Sequence, residues 1–493
     1  MWSKKCYIFL TVSAVLSTPI FAIDNSTPVL DSLRASAGST AIASPEPSAQ
    51  KLTDVATSTD PFSTDQAHTY WMQANSLYDD SVYTPPPQHR IDSPNGTDAV
   101  MLQGFDWYED SYWNHPPNGW WGVLAQDAPQ IGAAGFNIIW FPPTSVGSYY
   151  PTEWYNFDSQ WGTGDVLKQA VKAMHSAGVK VLADIILGHR SGSTNWVDFR
   201  NPDWPTTVIV NNDCVWSQPA YQNLPRSPNP SEGELDSGSR NLDNRNTTVQ
   251  HDAVVFMRWL RNTTGFDGWR YDEVKSYSGT HTEYYNNETS PEFSIGEYYD
   301  GDRQLVTNWI DSTDSSSGKA NASSAFDFPT KFNLISAVES DNYSGMMSNG
   351  APSGLIGWWP AKSVTFVENH DTSPRDPTFI ANATAEYKAE RLLGYVYILT
   401  HPGVPCVFWP HFFQWGTDYQ NTIINLIKIR KTAGITSTSA IHVDTATNNL
   451  YAAYITGTHQ TLAVKLGTSW SWTPNGTGWT MVTSGDRYAI WAK

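Results

Sequence analysis

Cysteine is nearly absent: three in 493 residues, one of them, Cys6, in the first few positions. The two that remain, Cys214 and Cys406, are too few for a disulfide framework. Cys406 lies in the apolar run 404–409 and reads as a buried free thiol, and nothing favours a bridge between the two. Basic residues are also scarce. Against 48 Asp and Glu there are 30 Lys and Arg, a formal net charge of −18, with no Lys/Arg-rich block. That balance argues against a nucleic-acid partner. No apolar run is long enough to cross a bilayer, so no membrane partner is expected either. Aromatic residues are plentiful, with 23 Trp and 24 Tyr. Most should pack in a core, but such an excess also suits stacking on sugar faces.

The chain opens with Lys4 and Lys5 before the apolar run Tyr7-Ile8-Phe9-Leu10-Thr11-Val12, which continues to Leu16. Small residues follow up to Ala22, so 1–22 reads as a signal peptide and the protein as secreted. Residues 23–97 are rich in Ser, Thr, Ala, Asp and Pro without sustained periodicity and read as a low-complexity segment, with Tyr70, Trp71 and Tyr78 able to dock on the body. Asn-x-Ser/Thr sequons are frequent, among them Asn95, Asn246, Asn262, Asn321 and Asn382.

From Ala99 strands and helices alternate. Strand patterns fall at 100–105, 136–141, 179–187, 265–272, 293–298, 326–328, 363–368 and 404–409. Helix patterns fall at 120–132, 165–176, 248–261 and 419–431. Eight strand units imply an α/β fold, a closed parallel (β/α)8 TIM barrel, with its active site at the strand C-termini. The alternation stops over 190–245, which is too long for a structureless loop and predicts a small inserted domain after the third strand. The barrel parts are then 98–189 and 246–433. Residues 434–493 alternate around 450–454, 461–466 and 488–491 and predict a C-terminal antiparallel β-domain.

The stretch Gly265-Phe266-Asp267-Gly268-Trp269-Arg270-Tyr271-Asp272-Glu273-Val274-Lys275 organises the chain. Arg270 and Asp272, two apart on a strand, project from one face. A guanidinium there should hold the carboxylate ionised and oriented, as a nucleophile requires. Taken alone, a structural Arg–Asp pair explains the stretch as well. The other strand ends tip the balance: Asp184-Ile185-Ile186-Leu187-Gly188-His189, Gly296-Glu297-Tyr298 and Glu368-Asn369-His370-Asp371 bring further titratable groups to the same rim.

Together these motifs resemble the alpha-amylase family of retaining glycoside hydrolases, with local text similar to the plant-type members. Met101-Leu102-Gln103-Gly104-Phe105, His401-Pro402-Gly403-Val404-Pro405-Cys406 and Val464-Lys465-Leu466-Gly467 add to it, and the similarity runs from about Ala99 to Lys493. The resemblance implies endo-hydrolysis of alpha-1,4-glucosidic bonds in starch or another alpha-glucan, by a monomer. Asp272 would be the nucleophile, Glu297 the acid/base and Asp371 the stabiliser of the oxocarbenium-like transition state. Glu297 should titrate above Asp272. His189, His370, Tyr149 and Arg270 would contact sugar at the cleavage point, and Lys275 and Tyr299 the leaving side. Trp107 is a further stacking candidate; for Trp107 and Tyr299 ordinary packing explains the residue equally well.

Trp358-Trp359, in Gly357-Trp358-Trp359-Pro360, resembles a surface starch platform, the alternative being a cap on the barrel. The resemblance also implies calcium, but Gly188 stands where the family carries a ligating Asn. In Arg240-Asn241-Leu242-Asp243, Asn241 takes the place of a metal-binding Asp, with Asp213 and Asp236 as further possible donors. One ligand and one negative charge are lost, so the central site should be empty or weak. The inserted domain would then rest on packing around Trp196, Phe199, Trp204 and Trp216. Two other readings stay open: a transglycosylase or exo-acting maltooligosaccharide former with the same residues, and an inactive glucan-binding protein.

Overall fold

The computed structural model describes residues 96–109 and 118–493, all within one compact unit. The leader at 1–22, most of the 23–97 segment and Tyr70, Trp71 and Tyr78 lie outside the described residues.

Eight parallel strands close into a barrel in chain order: β1 (Met101–Gln103), β2 (Ile138–Trp140), β3 (Lys180–Ile185), β4 (Gly268–Tyr271), β5 (Ser294–Gly296), β6 (Ser324–Phe326), β7 (Ser363–Phe366) and β8 (Val404–Phe408). Met101 opposite Cys406 and Leu102 opposite Val407 close it. Cys406 is free and buried. The strands are apolar and almost wholly buried, as a parallel sheet covered on both faces must be.

All but the sixth of the observed strands are shorter than their apolar patterns, because residues at one or both ends turn into the loops. Gly265 is not in β4. It caps helix Thr247–Thr264 at φ 94°, where its N–H bonds the Arg261 carbonyl. Gly268 is small for another reason: a Cβ there would stand 2.2 Å from the Phe293 carbonyl oxygen on the neighbouring strand. The sixth strand sits two residues earlier than its pattern. Asp327 leaves the sheet to cap helix Phe328–Ser340, accepting from Thr330 N at 2.8 Å and from Ile356 N at 2.8 Å.

Helices Gly279–Thr289, Arg303–Ser312, Phe328–Ser340 and Ala385–Thr400 complete the later units. Gly279–Thr289 shows no amphipathic stripe because it buries His281, Thr282 and Asn286, with Asn286 bonded to Tyr271 and Ser294.

Between β3 and helix Thr247–Thr264 the chain makes short turns and a two-residue ladder, His189–Arg190 against Arg240–Asn241. Arg190 is wholly buried, with its guanidinium 4.8 to 5.5 Å from the rings of Trp204, Phe199 and Trp154. Trp204 Nε1 donates to Asp252 at 2.7 Å, tying this stretch to the helix that follows. Phe199, Trp204 and Trp216 are buried as expected, while Trp196 is half-buried beneath Arg240.

The C-terminal sheet has five antiparallel strands, β9 (Ala440–Thr447), β10 (Leu450–Thr456), β11 (Thr461–Leu466), β12 (Thr480–Gly485) and β13 (Tyr488–Ala492), in the order β9-β10-β11-β13-β12. The edge strands β9 and β12 are largely exposed and polar, which is why alternation revealed only the inner three.

Candidate active site

A cavity of about 790 Å3 opens at the C-terminal end of the barrel. Asp272, Glu297, His370 and Asp371 line it, with Trp107, Tyr149, His189, Lys275 and Tyr299 around them. Every residue predicted for the cleavage point is at this cavity or directly beneath it.

Arg270 is the foundation. The two-residue spacing on β4 does put it beside Asp272, but its reach is wider. Nη1 donates to Asp272 Oδ1 at 2.7 Å and to Asp184 Oδ1 at 2.8 Å. Nη2 lies 2.8 Å from Glu297 Oε2, an ion-pair contact without hydrogen-bond alignment. The guanidinium stands 4.6 Å from the centre of the Trp140 ring. Asp184, assigned no role among the strand-end motifs, also accepts from Trp140 Nε1 at 3.0 Å and Tyr149 OH at 2.8 Å. It faces Arg270 because the parallel register sets Asp184 opposite Arg270 on β3 and β4.

One cation therefore serves three buried carboxyls, and it does not hold Asp272 low. Burial pushes Asp184 up to about 6, Asp272 to about 7 and Glu297 to about 8, with Arg270 opposing in each case. Desolvation outweighs a countercharge that is divided three ways. The expected ranking survives: Glu297 stands highest, raised further by the charges of Asp272 and Asp371. A carboxyl poised to keep its proton thus sits beside one that gives it up first.

Asp371 faces them from the β7 loop, 3.3 Å from His370 Nε2. Gln103 Nε2 lies 3.1 Å from His370 Nδ1, and burial holds that imidazole neutral, down to about 3. Amide donation to Nδ1 leaves the ring hydrogen on Nε2, directed at Asp371. Arg375, four residues on in the same loop, donates to Asp371 Oδ1 at 2.6 Å and lies over the Trp107 ring at 4.8 Å. Trp107 and Tyr149 both pack on this histidine and on each other, with Tyr149 stacked on His370 at 14° and 5.2 Å. His189 bonds the Tyr149 carbonyl through Nε2 at 2.7 Å. Burial alone would lower His189, but the charges of Asp272, Glu273 and Asp236 raise it.

On the far side Lys275 pairs with Glu234 at 2.8 Å and Asp300 at 3.2 Å. Tyr299 is half exposed and packs on Phe328 at 4.4 Å. Sequence reasoning missed Tyr150, Glu234, Glu273 and Arg375, which also line the cavity, as does Asp236, which it offered only as a metal donor. Most come from irregular loops, where no periodicity marks them. Trp358 and Trp359 separate: Trp358 is 47 % exposed with Arg303 stacked 3.8 Å from its ring, and Trp359 packs against the core.

The model of the alpha-amylase C-terminal beta-sheet domain matches residues 432–492. A protein described as probable alpha-amylase 2 from Arabidopsis thaliana is 34% identical over 420 residues, covering 80% of this chain and 94% of the relative. The chain belongs to the alpha-amylase family. Alpha-amylase 3, chloroplastic, of the same plant is 31% identical over 433 residues, 82% of this chain and 45% of that one. Among solved structures an Anoxybacillus alpha-amylase superposes with a TM-score of 0.59 at 16% identity, covering 80% of this chain and 97% of the other, which speaks to the fold alone.

Alpha-amylases typically hold calcium, and the residues at the corresponding place here do not fit it. Arg240 is fully buried and its Nη1 contacts Asp213 Oδ1, so a cation already occupies the cluster. Asn241 donates through N and Nδ2 to Asp213 Oδ2, each at 2.8 Å, and its Oδ1 accepts from Asp236 N at 2.7 Å. The space beside Gly188 is taken as well: a Cβ there would lie 2.1 Å from Ser276 Oγ. Both Asp213 oxygens and Asn241 Oδ1 are bonded inward, beside a fixed positive charge.

Proposed function

We propose that this protein is a secreted, endo-acting hydrolase of alpha-1,4-glucans that retains anomeric configuration. The observation that supports it best is the single guanidinium bridging Asp272 and Glu297 on the cavity floor, with Asp371 across from them. In the first step an Asp272 oxygen bonds the anomeric carbon. The glucosidic C–O bond breaks as the Glu297 proton passes to the leaving oxygen. In the second, Glu297 takes a proton from water, whose oxygen bonds the same carbon and expels Asp272. Asp371 and His370 hold sugar hydroxyls against the developing charge. Tyr149 and Trp107 supply the stacking wall, and Lys275 and Tyr299 the leaving side. Trp358 is the outer glucan contact. Arg240 stands in for calcium as a resident cation within residues 190–245, where it meets Asp213 and Trp196, and Trp204 bonded to Asp252 ties that stretch to the barrel. The basic and apolar opening of the chain supports export.

Proton NMR of the first product from a maltooligosaccharide tests the reaction. The α-anomer is expected, and a β-anomer appearing first removes the double displacement. Asp272→Asn and Glu297→Gln should each lower turnover by several orders of magnitude while folding normally. A folded variant keeping more than about a tenth of the rate, a loss of only ~1.4 kcal/mol, refutes the roles. Sizing the products of soluble starch over time separates endo-cleavage, with a mixed ladder early, from exo-release of one short product.

A further inference from the structure

Asp272 and Glu273 are consecutive, yet both side chains line the cavity. On an extended strand they would point to opposite faces. Glu273 instead adopts φ 39° and ψ 50°, the left-handed region that a glutamate seldom enters, and this turn swings its carboxylate back beside that of Asp272. Ser276 Oγ donates to the Glu273 carbonyl at 2.7 Å and helps close the turn.

His189 completes the group. It is 3 % exposed, and its Nε2 lies 2.7 Å from the Tyr149 carbonyl oxygen. A carbonyl only accepts, so Nε2 carries the hydrogen and the neutral ring presents a lone pair on Nδ1. Nδ1 is buried without a hydrogen-bond partner, 3.6 Å from Glu273 Oε2. One ligand atom from each of His189, Asp272 and Glu273 falls within 4.8 Å of the others. An imidazole whose second nitrogen is tied to a backbone carbonyl is the usual form of a metal-bound histidine.

We propose that His189, Asp272 and Glu273 form a binding site for zinc or a similar nitrogen- and oxygen-preferring divalent metal, and that the metal inhibits the enzyme by capturing Asp272. One nitrogen and two carboxylate oxygens suit zinc, with water completing a tetrahedron, and suit calcium poorly because calcium takes oxygen ligands alone. The site itself stands on the geometry; only its effect on turnover rests on the proposed role of Asp272. Metal and glucan compete for the same floor of the cavity, so inhibition is competitive.

The test is titration of the full chain with zinc chloride by calorimetry, with cobalt chloride followed by visible absorption as a second probe. One equivalent should bind in the micromolar range, the cobalt form should show a low-coordinate spectrum, and a maltooligosaccharide should weaken the apparent affinity. Glu273→Gln should weaken binding at least tenfold. Its unfolding midpoint is compared with wild type to confirm that the variant is folded. Zinc should raise the apparent KM and leave kcat unchanged. Absence of binding at millimolar zinc, or equal affinity in wild type and Glu273→Gln, overturns the site. Zinc bound as described by a chain that hydrolyses no glucan leaves the site standing and refutes the proposed function instead.

Discussion

Arg240→Met keeps an unbranched side chain against Trp196 and removes the guanidinium that meets Asp213. Both members of the pair are 0 % exposed at the side chain. Asp213 keeps its bonds from Val215 N, Asn241 N and Asn241 Nδ2, each 2.8 Å, but loses its countercharge. Breaking a buried pair by deleting one partner costs about 3–5 kcal/mol. An unfolding entropy of about 2.1 cal/mol/K per residue gives roughly 0.8 kcal/mol/K for about 390 described residues, so the midpoint should fall by about 4–6 °C. The assay is thermal unfolding with excess chelator against millimolar calcium. Wild type should unfold within about 1 °C in the two conditions, since ~1 kcal/mol or less of ion binding is expected. The variant should regain part of its loss in calcium, because Asp213, Asn241 and Asp236 then offer oxygens without a resident cation. If chelator lowers the wild-type midpoint by about 5 °C, calcium is contributing ~4 kcal/mol, as an ion at a thousand times its dissociation constant does. That result refutes the reasoning, as does an unchanged midpoint in Arg240→Met.

Trp358→Ala should weaken adsorption to starch granules several-fold while turnover on a short soluble maltooligosaccharide stays within about twofold; equal losses on both would make Trp358 a packing residue. Glu368→Gln should destabilise the fold at neutral pH by ~2–3 kcal/mol without changing the order of the cavity carboxyls. Despite burial, His411 and Arg391 hold Glu368 down to about 2. Burial keeps His411 itself low, so at neutral pH Arg391, 2.6 Å away, supplies the charge, and His411 Nε2 stands 3.2 Å from the other carboxylate oxygen. A carboxylate depressed in the folded state stabilises above its unfolded value near 4.5 and loses that contribution as pH falls towards 2. The gap between wild type and Glu368→Gln in chemical denaturation should therefore narrow from pH 5 to pH 2, and a constant gap contradicts the ion pair.

What the sequence made legible follows from period and burial. Parallel strands buried on both faces are short apolar runs, and β1 to β8 stand out for that reason even though the loops trim all but the displaced sixth by one to four residues. Arg270 and Asp272 were readable because a strand has a fixed period of two. Asp184 was not, because its role comes from the register between β3 and β4, a relation between segments 86 residues apart. Nor was the shift of Asp272, since counting charges in one segment says nothing of three carboxyls sharing one guanidinium. Arg240 shows the same limit. The local reading noticed the neutral Asn241 as a lost calcium ligand, while the neighbouring arginine that fills the place is recognisable only once Asp213, 27 residues away, is seen beside it.

The same reasoning explains why Glu273 escaped notice although it adjoins the predicted nucleophile. A strand pattern assigns it to the outer face, and only the left-handed backbone at Glu273 reverses that assignment. Nothing in the residue itself marks the reversal, since glycine or asparagine is the usual sign of such a conformation. The conformation is held from outside. Ser276 Oγ bonds the Glu273 carbonyl, the Glu273 N–H lies 3.2 Å from Glu297 Oε2, and Gly188 leaves the space that Ser276 fills. Gly188, read from the sequence as the loss of a calcium ligand, is therefore also what permits the turn. A side chain at 188 displaces Ser276, frees the Glu273 carbonyl, and removes a support for the carboxylate beside the nucleophile. Gly188→Ala should accordingly cost about 1–2 kcal/mol of stability, the price of overpacking a filled site. It should also weaken zinc binding, although residue 188 touches no metal. Destabilisation with zinc affinity unchanged would mean that Glu273 keeps its turn without Ser276, and the link between the two positions would be lost.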